Sequence, residues 1–184
     1  MKHNLFLVMI MVLAVLTPYQ AKAGQEIDNC FAYTNAGDYQ RAIEAGKKAV
    51  ELYPKDGDAN FCLGDAYRSI GQFKLALTYL KEAERFFTSK QYLISIYNKL
   101  GLVFSGMGDY DNALFYDNKH LFLTRKLGNR KGEASALNNI ALIFEEKGMT
   151  DKALGYYEES LNLSDEKDKA ATYNNIGSIY YQKG

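Results

Sequence analysis

The stretch Gly108-Asp109-Tyr110, followed by Ala113, decides how this chain is read. The same pattern stands at Gly37-Asp38-Tyr39 with Ala42. It returns in altered form at Gly71-Gln72-Phe73 with Ala76 and at Gly148-Met149-Thr150 with Ala153. Successive glycines are 34, 37 and 40 residues apart. A unit that recurs at this length describes a stacked array, in which each copy packs on its neighbours, rather than one globular fold.

Each glycine-aromatic turn separates two amphipathic segments, an upstream helix A and a downstream helix B. The A segments carry Leu63, Gly64 and Tyr67 in the second copy and Tyr97, Leu100, Gly101 and Phe104 in the third. The fourth has Leu137, Ile140, Ala141 and Phe144, and a fifth begins with Tyr173, Ile176, Gly177 and Tyr180. Spacings of three and four place these residues on one helical face. The small residue always holds the same phase. Glycine inside a helix costs about 1 kcal/mol against alanine, so its recurrence points to a close approach by a facing helix.

The turn follows the same logic. Gly37, Gly71, Gly108 and Gly148 stand where helix A must stop. Asp38 and Asp109 stand where helix B needs an N-cap. Tyr39, Phe73 and Tyr110 follow as aromatic wedges. In the fourth copy Thr150 replaces the aromatic residue and is expected to cap helix B itself, because Met149 lacks an acceptor. Ala42, Ala76, Ala113 and Ala153 come one turn later, where the two helices should cross at their closest.

This order of an aromatic or apolar residue, Leu-Gly, Tyr, Gly-x-Tyr, Ala and a closing Pro resembles the tetratricopeptide repeat, with Pro54 in the closing place of the first copy. The first copy departs from the pattern with Asn29-Cys30 where Leu-Gly is usual, and later copies lack the proline. The longer spacings look like the subfamily with extended second helices. The resemblance implies an all-α fold, a right-handed superhelix of antiparallel helix pairs, and a role in binding other chains. Repeats are expected at about 24–56, 57–93, 94–132 and 133–168, with a partial repeat at 169–184. Because the last helix keeps Ile176, Ile179 and Tyr180 and ends on the turn signal, the chain reads as the front part of a longer one.

Residues 1–23 lie outside the array. Met1-Lys2-His3-Asn4 is a short basic start, Leu5 to Leu16 is continuously apolar, and Ala21-Lys22-Ala23 is a cleavage signature, the pattern of a secretory signal peptide. The chain is expected to be exported, to the periplasm, and to begin at Gly24. The other reading is a membrane anchor formed by an uncleaved N-terminal segment. Losing Lys2 and Lys22 from 22 basic residues leaves 20 against 22 acidic ones, a balance of −2. That balance gives no basic surface for nucleic acid. The two cysteines, Cys30 and Cys62, fall on successive A helices, but their phases differ by two residues. They are therefore expected to be small buried apolar residues rather than a pair.

Nothing in the sequence builds a catalytic site. His120 is the one histidine after residue 23 and is expected to be half-exposed on helix B of the third copy. No metal set of usual ligand number closes, no phosphate loop or nucleophile elbow is present, and no cofactor, metal or enzymatic activity is expected. Function is expected instead in a groove lined by the A helices. Two and three residues before the small position stand Asn98 and Lys99, Asn138 and Asn139, and Asn174 and Asn175. An amide offers a donor and an acceptor, so such a ladder suits the backbone of an extended peptide. In similar tetratricopeptide adaptors, the Asn just before Leu-Gly makes such contacts. Arg68, Glu145, Glu146 and Tyr181 are expected at the rim, and Phe31 and Phe61 make one end more apolar. The expected partner is a protein or peptide, with self-association through the open C-terminal helix as a further one and no membrane span in the mature segment. The alternative function is the sensor part of a membrane-anchored regulator, such as a histidine kinase or transcription factor.

Overall fold

The structure is a computed structural model that describes residues 24–183; the expected signal peptide lies outside them. Among the described residues there are helices and turns and no strand. The chain divides into two compact units, one ending at Phe86 and the other beginning at Phe87. The first holds α1 (residues 24–35), α2 (Tyr39–Leu52), α3 (Gly57–Ser69) and α4 (Phe73–Phe86). The second holds α5 (Lys90–Gly106), α6 (Tyr110–Lys126), α7 (Arg130–Glu146), α8 (Thr150–Leu163), a 3₁₀ turn at Glu166–Asp168 and α9 (Lys169–Lys183). The third and fourth copies thus start at Lys90 and Arg130, a few residues ahead of the boundaries expected from sequence.

Every expected A–B turn is present, with Gly37, Gly71, Gly108 and Gly148 at φ of +75°, +75°, +74° and +70°. The turn at Gly108 shows why. Asp109 N donates to Phe104 O at 2.9 Å and Gly108 N to Ser105 O at 2.9 Å, a Schellman stop that requires the left-handed region glycine tolerates. The next residue starts the new helix. Asp38 and Asp109 accept from the backbone N–H of Arg41 and Asn112, each at 3.2 Å. Asp56 and Asn129 cap α3 and α7 in the same way, at 2.9 Å. The fourth copy differs from expectation. Met149 occupies the N-cap position with no side-chain bond, and Thr150 is already the first helical residue, too late to cap.

The packing repeats as regularly as the turns. Ala42, Ala76, Ala113 and Ala153 are all fully buried. One turn after the small A-helix residue, and one turn after the B-helix alanine, two aromatic rings stack. The pairs are Tyr67 on Tyr79 at 5.7 Å, Phe104 on Tyr116 at 5.5 Å and Phe144 on Tyr156 at 5.4 Å. Each stack adds about 0.5–1.5 kcal/mol beyond its buried area. In the second unit Leu121, Ala136, Leu137 and Ile140 form one core cluster, and Ala141, Ala153, Tyr157 and Ile179 the next. Fully buried Leu137 and Ile140 each contribute about 1.5–3 kcal/mol.

The small phase does what was expected of it in the middle copies. A Cβ on Gly64 would lie 2.8 Å from Cγ of Leu80, and one on Gly101 would lie 2.8 Å from Cγ of Asp117. At Gly177 a Cβ would meet nothing within 4 Å.

Two further expectations are overturned by the fold. Cys30 and Cys62 are joined by a disulfide, with Cα atoms 6.2 Å apart. Side-by-side A helices touch through opposite flanks, and two residues along a helix turn the side chain by about 200°. The two-residue difference in phase is therefore what brings the sulfurs together. His120 is 2% exposed rather than half-exposed. It sits seven residues after Ala113, on the inner face where the other copies place Ala49, Ala83 and Ser160, all buried.

Candidate functional site

The candidate site lies in the second unit, on the face where the N-terminal halves of α5 and α7 meet the last turns of α6 and α8. Two clefts share Lys131 and Ser135 there. One, of about 260 Å³, is lined by Ser95, Asn98, His120 and Asn129. The other, of about 450 Å³, is lined by Arg130, Asn138, Ser160, Asp165, Asp168 and Thr172. Charge along the larger cleft is mixed, and Lys131 pairs with Asp168 at 3.1 Å.

Asn98 and Asn138 occupy the same phase on α5 and α7, and each is held by the next A helix. Asn139 Nδ2 donates to Asn98 Oδ1 at 3.0 Å. Thr172 Oγ1 donates to Asn138 Oδ1 at 3.2 Å. Both amides thus have their carbonyl oxygen engaged by the protein, which leaves the Nδ2 donors for the clefts they line. Arranged this way, the pair suits acceptors such as peptide carbonyls.

Asn139 does not face the groove as its sequence position suggested. It is buried at 9% exposure, in the seam between α5 and α7, and a second bond of 3.3 Å runs from its Nδ2 to Asp117 Oδ1. The reason is the one that pairs the cysteines: Asn139 and Cys62 share a phase that points at the preceding A helix. Burial raises the Asp117 carboxyl to a pKa of about 7, against which the Asn139 hydrogen bond works. Burial also lowers His120 to about 4, so its ring is neutral at pH 7. His120 Nδ1 is buried without a hydrogen-bond partner among the described residues.

The remaining sequence candidates are spread out. Lys99 is half-buried on α5, and Asn174 is exposed on α9. Asn175 is half-buried and bonds the Tyr157 hydroxyl, which in turn donates to Glu145 Oε2 at 2.8 Å; burial first, then Glu145, raises the Tyr157 pKa. Glu145 is therefore tied to α8. Arg68 belongs to the first unit, where its Nε donates to Asp65 Oδ1 at 2.6 Å. Phe31 and Phe61 do come together in that unit, with ring centroids 6.3 Å apart. Sequence reasoning missed Thr172, Ser135 and Asp117. Ser135 was visible in principle, because it stands three residues before Asn138 as Ser95 stands before Asn98.

A tetratricopeptide-repeat profile matches residues 92–166, and a second profile of the same description matches residues 32–89. Tetratricopeptide repeats therefore occupy these two stretches of the chain. Anaphase-promoting complex subunit 6 of Arabidopsis thaliana is 26% identical over 156 residues, 85% of this chain and 27% of that protein. Photosystem I assembly protein Ycf3 of Prochlorococcus marinus is 32% identical over 89 residues, 48% of this chain and 49% of Ycf3. The chain thus spans a quarter to a half of these tetratricopeptide relatives. Among solved structures, MamA is 28% identical with a TM-score of 0.67, over 85% of this chain and 86% of MamA. The repeats carry no cluster of three or more His, Cys, Asp and Glu placed to hold a metal among the described residues. No described helix is long and apolar enough to cross a membrane.

Proposed function

We propose that the chain is a non-enzymatic scaffold that holds an extended peptide segment on the open face of α5 and α7. The supporting observation is the matched orientation of Asn98 and Asn138, each with its oxygen engaged by the following A helix. Backbone carbonyls of an extended segment are the acceptors that two Nδ2 donors at one phase would meet, with Ser95, Ser135 and Asn174 along the same face. Tetratricopeptide relatives that act as an assembly protein and as a subunit of a large complex, by their names, fit this reading. A net hydrogen bond contributes about 0.5–1.5 kcal/mol. Asn98→Ala with Asn138→Ala should therefore weaken the best binder from a displayed library of unstructured peptides by about ten- to a hundredfold. Fluorescence anisotropy would measure this, with circular dichroism unchanged. Full-strength binding by the folded double variant would refute the groove.

We further propose that the protein works outside the cytoplasm. The basic start, the apolar run and Ala21-Lys22-Ala23 support export, and a disulfide persists best in an oxidising compartment. N-terminal sequencing of the protein from its native cells should begin at Gly24, and an intact Met1 in a membrane fraction would count against cleavage.

A further inference from the structure

The strongest feature outside the groove lies on α6. Phe115 is 53% exposed and Phe122 63%. They are seven residues apart and so lie on one face of the helix. In the other three copies the same two phases hold Glu44 and Glu51, Thr78 and Arg85, and Gly155 and Asn162. All six of those residues are exposed. Stacking between repeats therefore does not call for a large apolar residue at either place, and exposing two phenylalanines to water is unfavourable unless something covers them.

The phenylalanines border a cleft of about 640 Å³ that also takes in Lys90, Leu93, Tyr97 and Lys119. Its charge has one sign. Lys119 Nζ lies 4.5 Å from the Tyr97 ring centre and 5.0 Å from that of Phe115, and Lys126 Nζ lies 5.7 Å from that of Phe122. Among the described residues no carboxylate lines the cleft. Apolar surface edged by ammonium groups complements apolar side chains edged by carboxylates.

We propose that this α5–α6 patch docks a short segment of a partner protein in which bulky apolar side chains are flanked by Asp or Glu. The site is separate from the asparagine face and does not rest on it. Three fluorescent peptides test it against the full chain: a Leu/Phe core with Glu flanks, the same core with Lys flanks, and an alanine core with Glu flanks. The first is expected to bind at least about tenfold more tightly than the other two. Phe115→Ser with Phe122→Ser should weaken it by at least about tenfold while helicity and melting stay unchanged, since both rings are exposed. Lys119→Glu with Lys126→Glu should reverse the order of the two flanks, and Asn98→Ala with Asn138→Ala should leave binding intact. Equal binding of both flanked peptides, or full binding by the serine variant, would overturn the proposal. So would sedimentation showing a dimer that the serine variant loses, which makes the occupant a second copy. Phosphatidylcholine vesicles retained by the wild type and lost by the same variant would overturn it in favour of a lipid surface.

Discussion

Asp117→Asn is expected to make the stability of the second unit fall by about 3–4 kcal/mol as the pH drops from about 6.5 to 4, where the wild-type chain stays nearly level. Two buried groups on α6 account for this. Asp117 has a folded pKa of about 7 against an ordinary 3.8. Between those values the folded state keeps a proton that the unfolded state has lost, so this group lowers stability as pH rises. His120 has a folded pKa of about 4 against 6.5. Between those values the unfolded state holds a proton that the folded state lacks, so this group lowers stability as pH falls. The Asp117 slope integrates to somewhat over ~4 kcal/mol and the His120 slope to about 3 kcal/mol, and over the shared window, about pH 4 to 6.5, they offset one another. An asparagine at 117 still accepts from Asn139 but does not titrate, which exposes the histidine's contribution alone. His120→Gln should expose the opposite slope, with stability falling from pH 4 to pH 7. Urea denaturation followed by circular dichroism across this range reads the slopes directly. A level profile in both variants would show that neither group is buried as described.

Reduction of the Cys30–Cys62 bond is expected to cost the first unit about 3–4 kcal/mol, from the loop-closure entropy that a separation of 32 residues restores to the unfolded chain. The bond ties α1 to α3, and the one other buried residue of its cluster, Ala45, is small, with Phe31 and Tyr33 only partly buried against it. Thermal melting with and without a phosphine reductant should show an early transition confined to this unit, leaving α5–α9 unaffected. Alkylation should label neither cysteine until the protein is reduced. Full labelling of untreated protein, or an unchanged melting profile after reduction, would contradict the pairing.

Much of this architecture was legible because the repeat states it several times. A glycine, an acidic cap and an alanine at fixed intervals describe local events, namely a helix stop, a helix start and a close crossing, and each depends on a few neighbouring residues. His120 was legible in the same way, since it stands at the inner phase set by Ala113, but its polarity suggested the surface. The direction of Asn139 and the meeting of Cys30 with Cys62 belong to a different level. They depend on which flank of one A helix lies against the next, and a single copy carries no trace of that geometry. Two adjacent asparagines such as Asn138 and Asn139 look alike in sequence, yet about 100° of helix separates a cleft residue from a seam residue. The phenylalanines at 115 and 122 look in sequence like any other aromatic residues of an amphipathic helix. Only comparison with their counterparts in other copies sets them apart.

The hydrogen bonds from Asn139 to Asn98 and from Thr172 to Asn138 have a consequence for the evolution and redesign of the array. Each surface amide takes its orientation from a residue one repeat later in the chain. Copies joined this way are not interchangeable beads. A repeat that is duplicated, deleted or grafted elsewhere brings its own asparagine but leaves behind the donor that aims it. On the proposed reading of the asparagine face, new specificity would be acquired two repeats at a time, and a shuffled array could fold well and still lose its grip.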